Sequence, residues 1–168
     1  PTDLFALCAP ESPATADEIP VPKVSNILEA LSREFRHQII DTAAGLGEHT
    51  LAALDKATDI VVVVDLDVPS VRGGRKFLEA LDEIGLRTAR RHIVLNRADS
   101  KVGLDPGEVA AVLSVPIDIT LPSSRDIPLS YNEGRPLVLA RPRHPFARGI
   151  QDLAYRMTRS GAYQGMNR

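Results

Sequence analysis

Cysteine is nearly absent from this chain: Cys8 is its single thiol, so no internal disulfide can form, and the composition suits a reducing cytoplasm. Cys8 sits in the apolar run "LFALCA", where a buried structural thiol is expected rather than a nucleophile. Long hydrophobic runs are also missing. The longest aliphatic one, Ile60 to Val64, stops at Asp65 and is far too short to span a bilayer. Charge of one sign is missing too. The formal net charge of -2 gives no whole-chain electrostatic reason to expect nucleic acid or an anionic membrane as partner. The four histidines, His37, His49, His92 and His144, lack metal-ligand spacing, so no zinc site is supported. No Ser-His-Asp or Cys-His arrangement emerges, nor any repeat, low-complexity tract or signal peptide. The chain starts at Pro1 with an apolar run under way by Leu4, which reads as a cut inside a domain.

What is present is a chain of 168 residues, 43% hydrophobic and 25% charged, ample for one soluble globular domain with a real core. Short continuous apolar runs alternate with segments of helical period, the signature of a parallel sheet flanked by helices. Five strands are expected: "LFALCA" (Leu4–Ala9), "HQIID" ending at Asp41, "DIVVVVDL", "RHIVLNR" and "VPIDITLP". The unbroken valines of the third imply burial on both faces. The Pro-rich segment "ESPATADEIPVP" is a loop that leads into a helix, with Val24, Ile27, Leu28, Leu31 and Phe35 along one face. Further helices are expected after "TAAGLGEH" through about Lys56, over Ser70–Ile84, from Asp105 with Pro106 and Glu108 placed for a capping box, and from Pro145 to Arg159. The fold class is α/β, a three-layer sandwich with a mostly parallel sheet. Residues 1–159 form one domain and 160–168 a polar, frayed tail.

In open parallel sheets, ligands gather at the carboxyl ends of strands, where the βα turns and helix N-termini converge. The residues there are Asp41 with "TAAGL", Asp65 and Asp67 with "VPS", Asn96 with "RADS", and Pro122 with "SSRD". An aspartate ending an apolar strand, as Asp65 does in "DIVVVVDLDVPS", resembles the phosphoacceptor of receiver domains. That chemistry needs an acidic pair after the first strand to hold magnesium, a hydroxyl at the fourth strand exit and a lysine at the fifth. The chain offers Asn96 at the fourth and Pro122–Ser123 at the fifth, and no acidic pair follows "LFALCA". Asp65 is therefore not expected to be phosphorylated.

Other exits share a different likeness. "IIDTAAGLGE" resembles the Walker B and switch II segment of ParA/MinD-type ATPases, "IVLNRADS" resembles their adenine-reading strand, and "DITLPSSRDIPLSYNEGRPLVLARPRHPFARGIQDLA" resembles their closing segment. The order and spacing agree from "LFALCAP" to "LAYRM". The opening is most similar to the CpaE/TadZ branch, associated with Flp-type pilus assembly and septum-site-like regulators. The resemblance implies a P-loop NTPase fold of the deviant Walker A type, binding ATP and magnesium. Asp41 would hold the water shell of magnesium, and Gly45 would let a backbone amide approach the γ-phosphate. Ala43 stands where the family often has proline. Asn96 and Arg97 would lie beside adenine, the amide suited by its adjacent donor and acceptor, and the Pro122–Ser123 backbone would pass next to the base. On the residues alone, Asp41 is equally a loop carboxylate, Asn96 a turn former, and Asn132 with Gly134 a turn.

The family's phosphate cradle, "KGGxGK[ST]", is not in the sequence. "RGGRKF" (Arg72–Phe77) lacks the hydroxyl after Lys76, and Gly73 and Gly74 fall in a helical period, so they read as close packing. The resemblance thus implies the C-terminal part of an ATPase domain, without ATPase activity by itself. Two readings follow: part of a nucleotide-switched, dimeric positioning ATPase serving a pilus or division apparatus, or a non-catalytic interaction module of the same fold. The expected location is cytoplasmic, peripheral to a membrane through partners. "RPRHPFAR" (Arg141–Arg148) is a solvated basic turn, and "TRSGAYQGMNR" is too short and polar for a membrane-binding helix.

Overall fold

A computed structural model describes residues 4–10, 12, 18–86, 89–100 and 103–162. The chain divides into two compact units, residues 1–57 and 58–168. The expected polar tail lies largely outside the described residues, as does half of the Pro-rich loop.

In the first unit, Pro20 caps helix α1 (Val21–Glu34) in an extended conformation, and Pro22 occupies its first turn, where a missing N–H costs nothing. Helix α2 (Glu48–Lys56) packs against it. Thr50, Ala53 and Leu54 are buried, the Phe5 and Phe35 rings meet at 5.3 Å, and His49 Nε2 lies 2.9 Å from the Ile19 carbonyl oxygen. Two expectations are corrected here. Leu4–Ala9 and His37–Asp41 form no strand. Their apolar side chains are open to solvent, Ile39 at 92% exposure. A strand exists only through a hydrogen-bonded neighbour, and among the described residues neither segment joins a ladder. Cys8 is exposed for the same reason, contrary to the buried thiol expected.

The second unit is built on a parallel sheet ordered β1 (Asp59–Asp65), β2 (Arg90–Asn96), β3 (Ile119–Leu121). The register pairs Val62 with Ile93, Val64 with Leu95, and Asp65 with Asn96; β2 and β3 are joined through Val94–Ile119 and Asn96–Leu121. Side chains alternate between the faces of a strand, so Val62, Val64, Ile93 and Leu95 share one face. Helix α3 (Val68–Glu83) covers it and packs on α4 (Pro106–Leu113). The other face carries Val94, Ile119 and Leu121, onto which Phe146, Ile150 and Leu153 are packed. Those last three belong to α7 (Pro145–Ala162). Two short helices, α5 (Asp126–Asn132) and α6 (Leu137–Ala140), connect β3 to α7. The helix–sheet–helix layering expected from the apolar pattern is therefore present in this unit.

One strand departs from its pattern. Ile60, Val62 and Val64 are buried, but Val63 on the opposite face is 60% exposed, so β1 is covered on one side only. Four consecutive valines fit either situation, since burial depends on what packs against the strand rather than on its own composition.

The glycine pair of "RGGRKF" lies inside α3. A Cβ on Gly74 would come within 2.8 Å of Val64 Cγ2 and 3.3 Å of Leu113 Cδ2, so the helix approaches the sheet through a residue without a side chain. Nothing lies within 4 Å of a Cβ on Gly73. Interior helix amides donate to carbonyls four residues back, which leaves them unavailable to a phosphate. Asp105 caps α4 as expected, accepting from the Gly107 and Glu108 amides, while Glu108 accepts from Asp105 N–H at 2.9 Å.

Candidate functional site

The carboxyl edge of the sheet gathers Asp65, Asn96, Arg97, Pro122 and Ser123. Asp65 and Asn96 end adjacent parallel strands at the same register. Asn96 Nδ2 donates to Asp65 Oδ1 at 2.9 Å, and Arg97 Nη1 stands 3.9 Å from Asp65 Oδ2. Arg97 adopts φ 52°, a left-handed conformation that costs a non-glycine residue about 1 kcal/mol or more. Backbone bonds hold the turn: Ser100 N–H donates to the Arg97 carbonyl and Ala98 N–H to Leu121 of β3, each at 3.0 Å.

Asp99 joins the same edge to the segment after β3. It accepts from Ser123 N–H at 2.7 Å, and that backbone bond, helped by the Ser123 side chain, lowers its carboxyl pKa. Ser100 and Ser123 hydroxyl oxygens lie 3.5 Å apart. Pro122 has no N–H and that of Ser123 is taken, so this segment can offer a base only carbonyl oxygens and the Ser123 hydroxyl. Asn96, Arg97, Pro122 and Ser123 thus come to one edge.

The loop leaving β1 is equally constrained. Asp65 N–H donates to Ser70 Oγ at 2.9 Å, Ser70 N–H to Asp67 Oδ1 at 2.7 Å, and Asp67 N–H to the Asp65 carbonyl at 2.8 Å. Asp67 is thereby the N-cap of α3.

Asp41 and Gly45 belong to the first unit. Asp41 lies exposed in an irregular segment that runs to α2. Gly45 has φ 93°, a value that an L side chain rarely adopts, so the turn of "TAAGLGE" requires glycine there. Among the described residues, no group of three His, Cys, Asp or Glu could enclose a metal ion. A single carboxylate acting through water is nonetheless compatible with magnesium, which keeps most of its waters and is bound largely through substrate phosphates. The half-buried, oriented amide of Asn96 similarly fits a purine edge.

Three residue groups escaped the sequence reading. In the sequence Asp65 stands only as a candidate phosphoacceptor; the signal that pairs it with Asn96 is that β1 and β2 each end on a polar residue after apolar runs of similar length. At the opposite edge, Asp59 accepts from Arg90 Nε at 2.9 Å, Arg90 Nη2 at 2.7 Å, His92 Nε2 at 2.8 Å and Thr58 Oγ1 at 2.9 Å. The third group joins Ser124, Asp126, Arg141 and His144. His144 Nδ1 accepts the Phe146 N–H at 3.1 Å, so a neutral ring carries its proton on Nε2, 3.3 Å from Ser124 Oγ and 3.6 Å from Asp126 Oδ2. Both side chains face the protonated nitrogen, so this is no nucleophilic triad. The ring caps the first turn of α7, and Arg141 Nη1 holds Asp126 at 2.6 Å.

A parallel sheet with helices on both faces and polar strand exits defines an α/β fold, and its solved counterparts are ParA and MinD ATPases. A ParA family ATPase from Chlorobium tepidum matches with a TM-score of 0.80 and 22% identity, over 87% of this chain and 60% of that one. The septum site-determining protein MinD from Pyrococcus horikoshii, complexed with Mg-ADP, matches with a TM-score of 0.74 and 20% identity, over 87% and 60%. Among curated proteins, an uncharacterized ATP-binding protein of Methanocaldococcus jannaschii is 26% identical over 136 residues, covering 80% of this chain and 51% of that protein. No protein-family profile matches. These similarities support the ParA/MinD-type resemblance carried by the motifs. The chain spans about half the length of the curated relatives it matches. No described helix is long and apolar enough to cross a membrane.

Proposed function

We propose that this chain is the switch and base-side portion of an ATP-dependent positioning ATPase, a nucleotide-switched dimer serving cell division or pilus assembly. The observation that carries the reading is the Asn96 amide, held at a strand exit beside Arg97 and the Pro122–Ser123 segment. Adenine presents a donor next to an acceptor, and a fixed amide matches it. Asp41 would hold magnesium through water, with Gly45 shaping the turn near the γ-phosphate; the metal would neutralise charge on the phosphates. The septum-site role of the MinD relatives supports the division setting. The CpaE/TadZ likeness of the opening supports the pilus setting.

The second reading, an interaction module without catalysis, draws on the Gly73–Gly74 pair. Those amides are interior to α3 and do not form a phosphate cradle.

The test is a titration of ATP and GTP, with and without magnesium, against the whole protein that contains this chain. Asn96→Ala should weaken ATP binding by roughly 5- to 150-fold, the equivalent of about 1–3 kcal/mol for a lost hydrogen-bonded pair at a partly buried site. Asp41→Asn should spare most of the affinity while reducing its magnesium-dependent share and the hydrolysis rate. An Asn96→Ala protein that stays folded and binds both nucleotides as before removes the base-side reading and favours the module.

A further inference from the structure

We infer that Asp65 is a specificity-determining positioning residue: it locks the side-chain amide of Asn96 in one of its two orientations, so that the site prefers adenine over guanine. This rests on the base-side reading above. An asparagine amide is nearly symmetric in shape, and rotation by half a turn exchanges its donor and acceptor. Adenine and guanine exploit opposite orientations. Adenine's six-position edge shows an amino donor beside a ring-nitrogen acceptor, whereas guanine shows a carbonyl acceptor beside a ring N–H donor. A freely turning amide could serve either base. A fixed one chooses.

The geometry fixes it. Asp65 and Asn96 are register partners on parallel strands, so their side chains leave the sheet at the same height on the same face. An ionised carboxylate only accepts hydrogen bonds. Asp65 Oδ1 therefore attracts Nδ2, at 2.9 Å, and would repel Oδ1 in the flipped orientation. The bond is charge-assisted and correspondingly strong. It leaves one Nδ2 hydrogen and the Oδ1 lone pairs for a ligand.

Asp65 is itself held in place. Its N–H is bound to Ser70 Oγ, its carbonyl to Asp67 N–H, and Asp67 caps the helix that carries Ser70. Arg97 Nη1, 3.9 Å away, offsets the carboxylate charge from the other side. Such support from the surrounding shell distinguishes a positioning device from a chance surface contact.

The experiment measures the ratio of ATP to GTP affinity in the whole protein for wild type, Asp65→Ala, Asp65→Asn, Asn96→Ala and the Asp65→Ala/Asn96→Ala double variant. Asp65→Ala should lower the ratio about 5-fold or more, the loss of one orienting hydrogen bond. Asp65→Asn, whose amide can turn a donor toward Asn96 as readily as an acceptor, should lower the ratio as well. The double variant should match Asn96→Ala alone, because Asp65 acts only through Asn96. In the nucleotide-free protein, the Asn96 side-chain amide resonance should move in Asp65→Ala. If the alanine variant does not fold, Asp65→Val replaces it, since valine favours strands and offers the amide no acceptor. An Asn96→Ala protein that loses discrimination while Asp65→Ala retains it overturns the positioning role and leaves the base-side reading intact. Additive effects in the double variant overturn it as well. An unchanged ratio in Asn96→Ala overturns both.

Discussion

Replacing Asp59 by alanine removes the hub of the ion cluster at the amino edge of the sheet. Its side chain is 9% exposed and accepts four hydrogen bonds, two of them from the guanidinium of Arg90. Arg90's hydrogen bonds, opposed by desolvation and aided by those of His92 and Thr58, bring the Asp59 pKa from 3.8 down to about 2. At about 1.4 kcal/mol per pH unit, that shift would correspond to ~2 kcal/mol of folding stability. Arg90 is 34% exposed, and solvent screening reduces the figure to about 1–2 kcal/mol. The sign follows from the direction. A carboxyl whose folded pKa is depressed stabilises the fold fully above its unfolded pKa, and the contribution disappears as pH falls through the folded value. Asp59→Ala should cost more than this at pH 7, about 2–4 kcal/mol, because His92, 9% exposed, and Arg90 are left without their acceptor. Urea unfolding of the 168-residue chain at pH 7 and at pH 2.5, followed by circular dichroism, reads both effects. The gap between wild type and Asp59→Ala should narrow at pH 2.5 as Asp59 begins to protonate. A variant as stable as wild type at pH 7, or a gap unchanged at pH 2.5, would refute the assignment.

The two glycines of α3 should respond in opposite directions. Gly73→Ala meets open space and should stabilise the helix by about 0.5–1 kcal/mol; Gly74→Ala drives a methyl group into Val64, itself 1% exposed, and should destabilise by about 1–2 kcal/mol net of the same propensity gain. Thermal melts of both variants decide this, and equal shifts would mean that α3 does not pack on β1 through Gly74. Asp105→Ala should cost about 1 kcal/mol by removing both capping bonds of α4, read as earlier urea unfolding; an unchanged midpoint would mean that the box does not form in solution.

The periodicities carried most of the second unit. Apolar runs marked β1 and β2 to within a residue or two, and the Asp-Pro-Gly-Glu signal located α4 with its capping box, because caps and turns depend on residues within four positions of one another. The same reasoning overreached where a partner was needed. "LFALCA" and "HQIID" are apolar enough for strands, yet a strand requires a neighbour's backbone, which no local pattern specifies. "VPIDITLP" shrank to the three residues that pair with β2.

The candidate site divides along the same line. The sequence by itself determined which residues stand at strand exits and what chemistry they offer: the amide of Asn96, the carboxylates of Asp41 and Asp65, the glycine turn at Gly45. Only the tertiary structure decided that Asp65 faces Asn96, that Asp99 ties Ser123 across to the β2 exit, and that Ser124, Asp126 and His144 converge as a helix cap and not a nucleophile. Side-chain type and spacing are properties of the chain. Strand order and register, which bring residues 31 apart in sequence to within 2.9 Å, come from burying the valine and leucine faces between α3 and α7, and that choice is made by the whole core together.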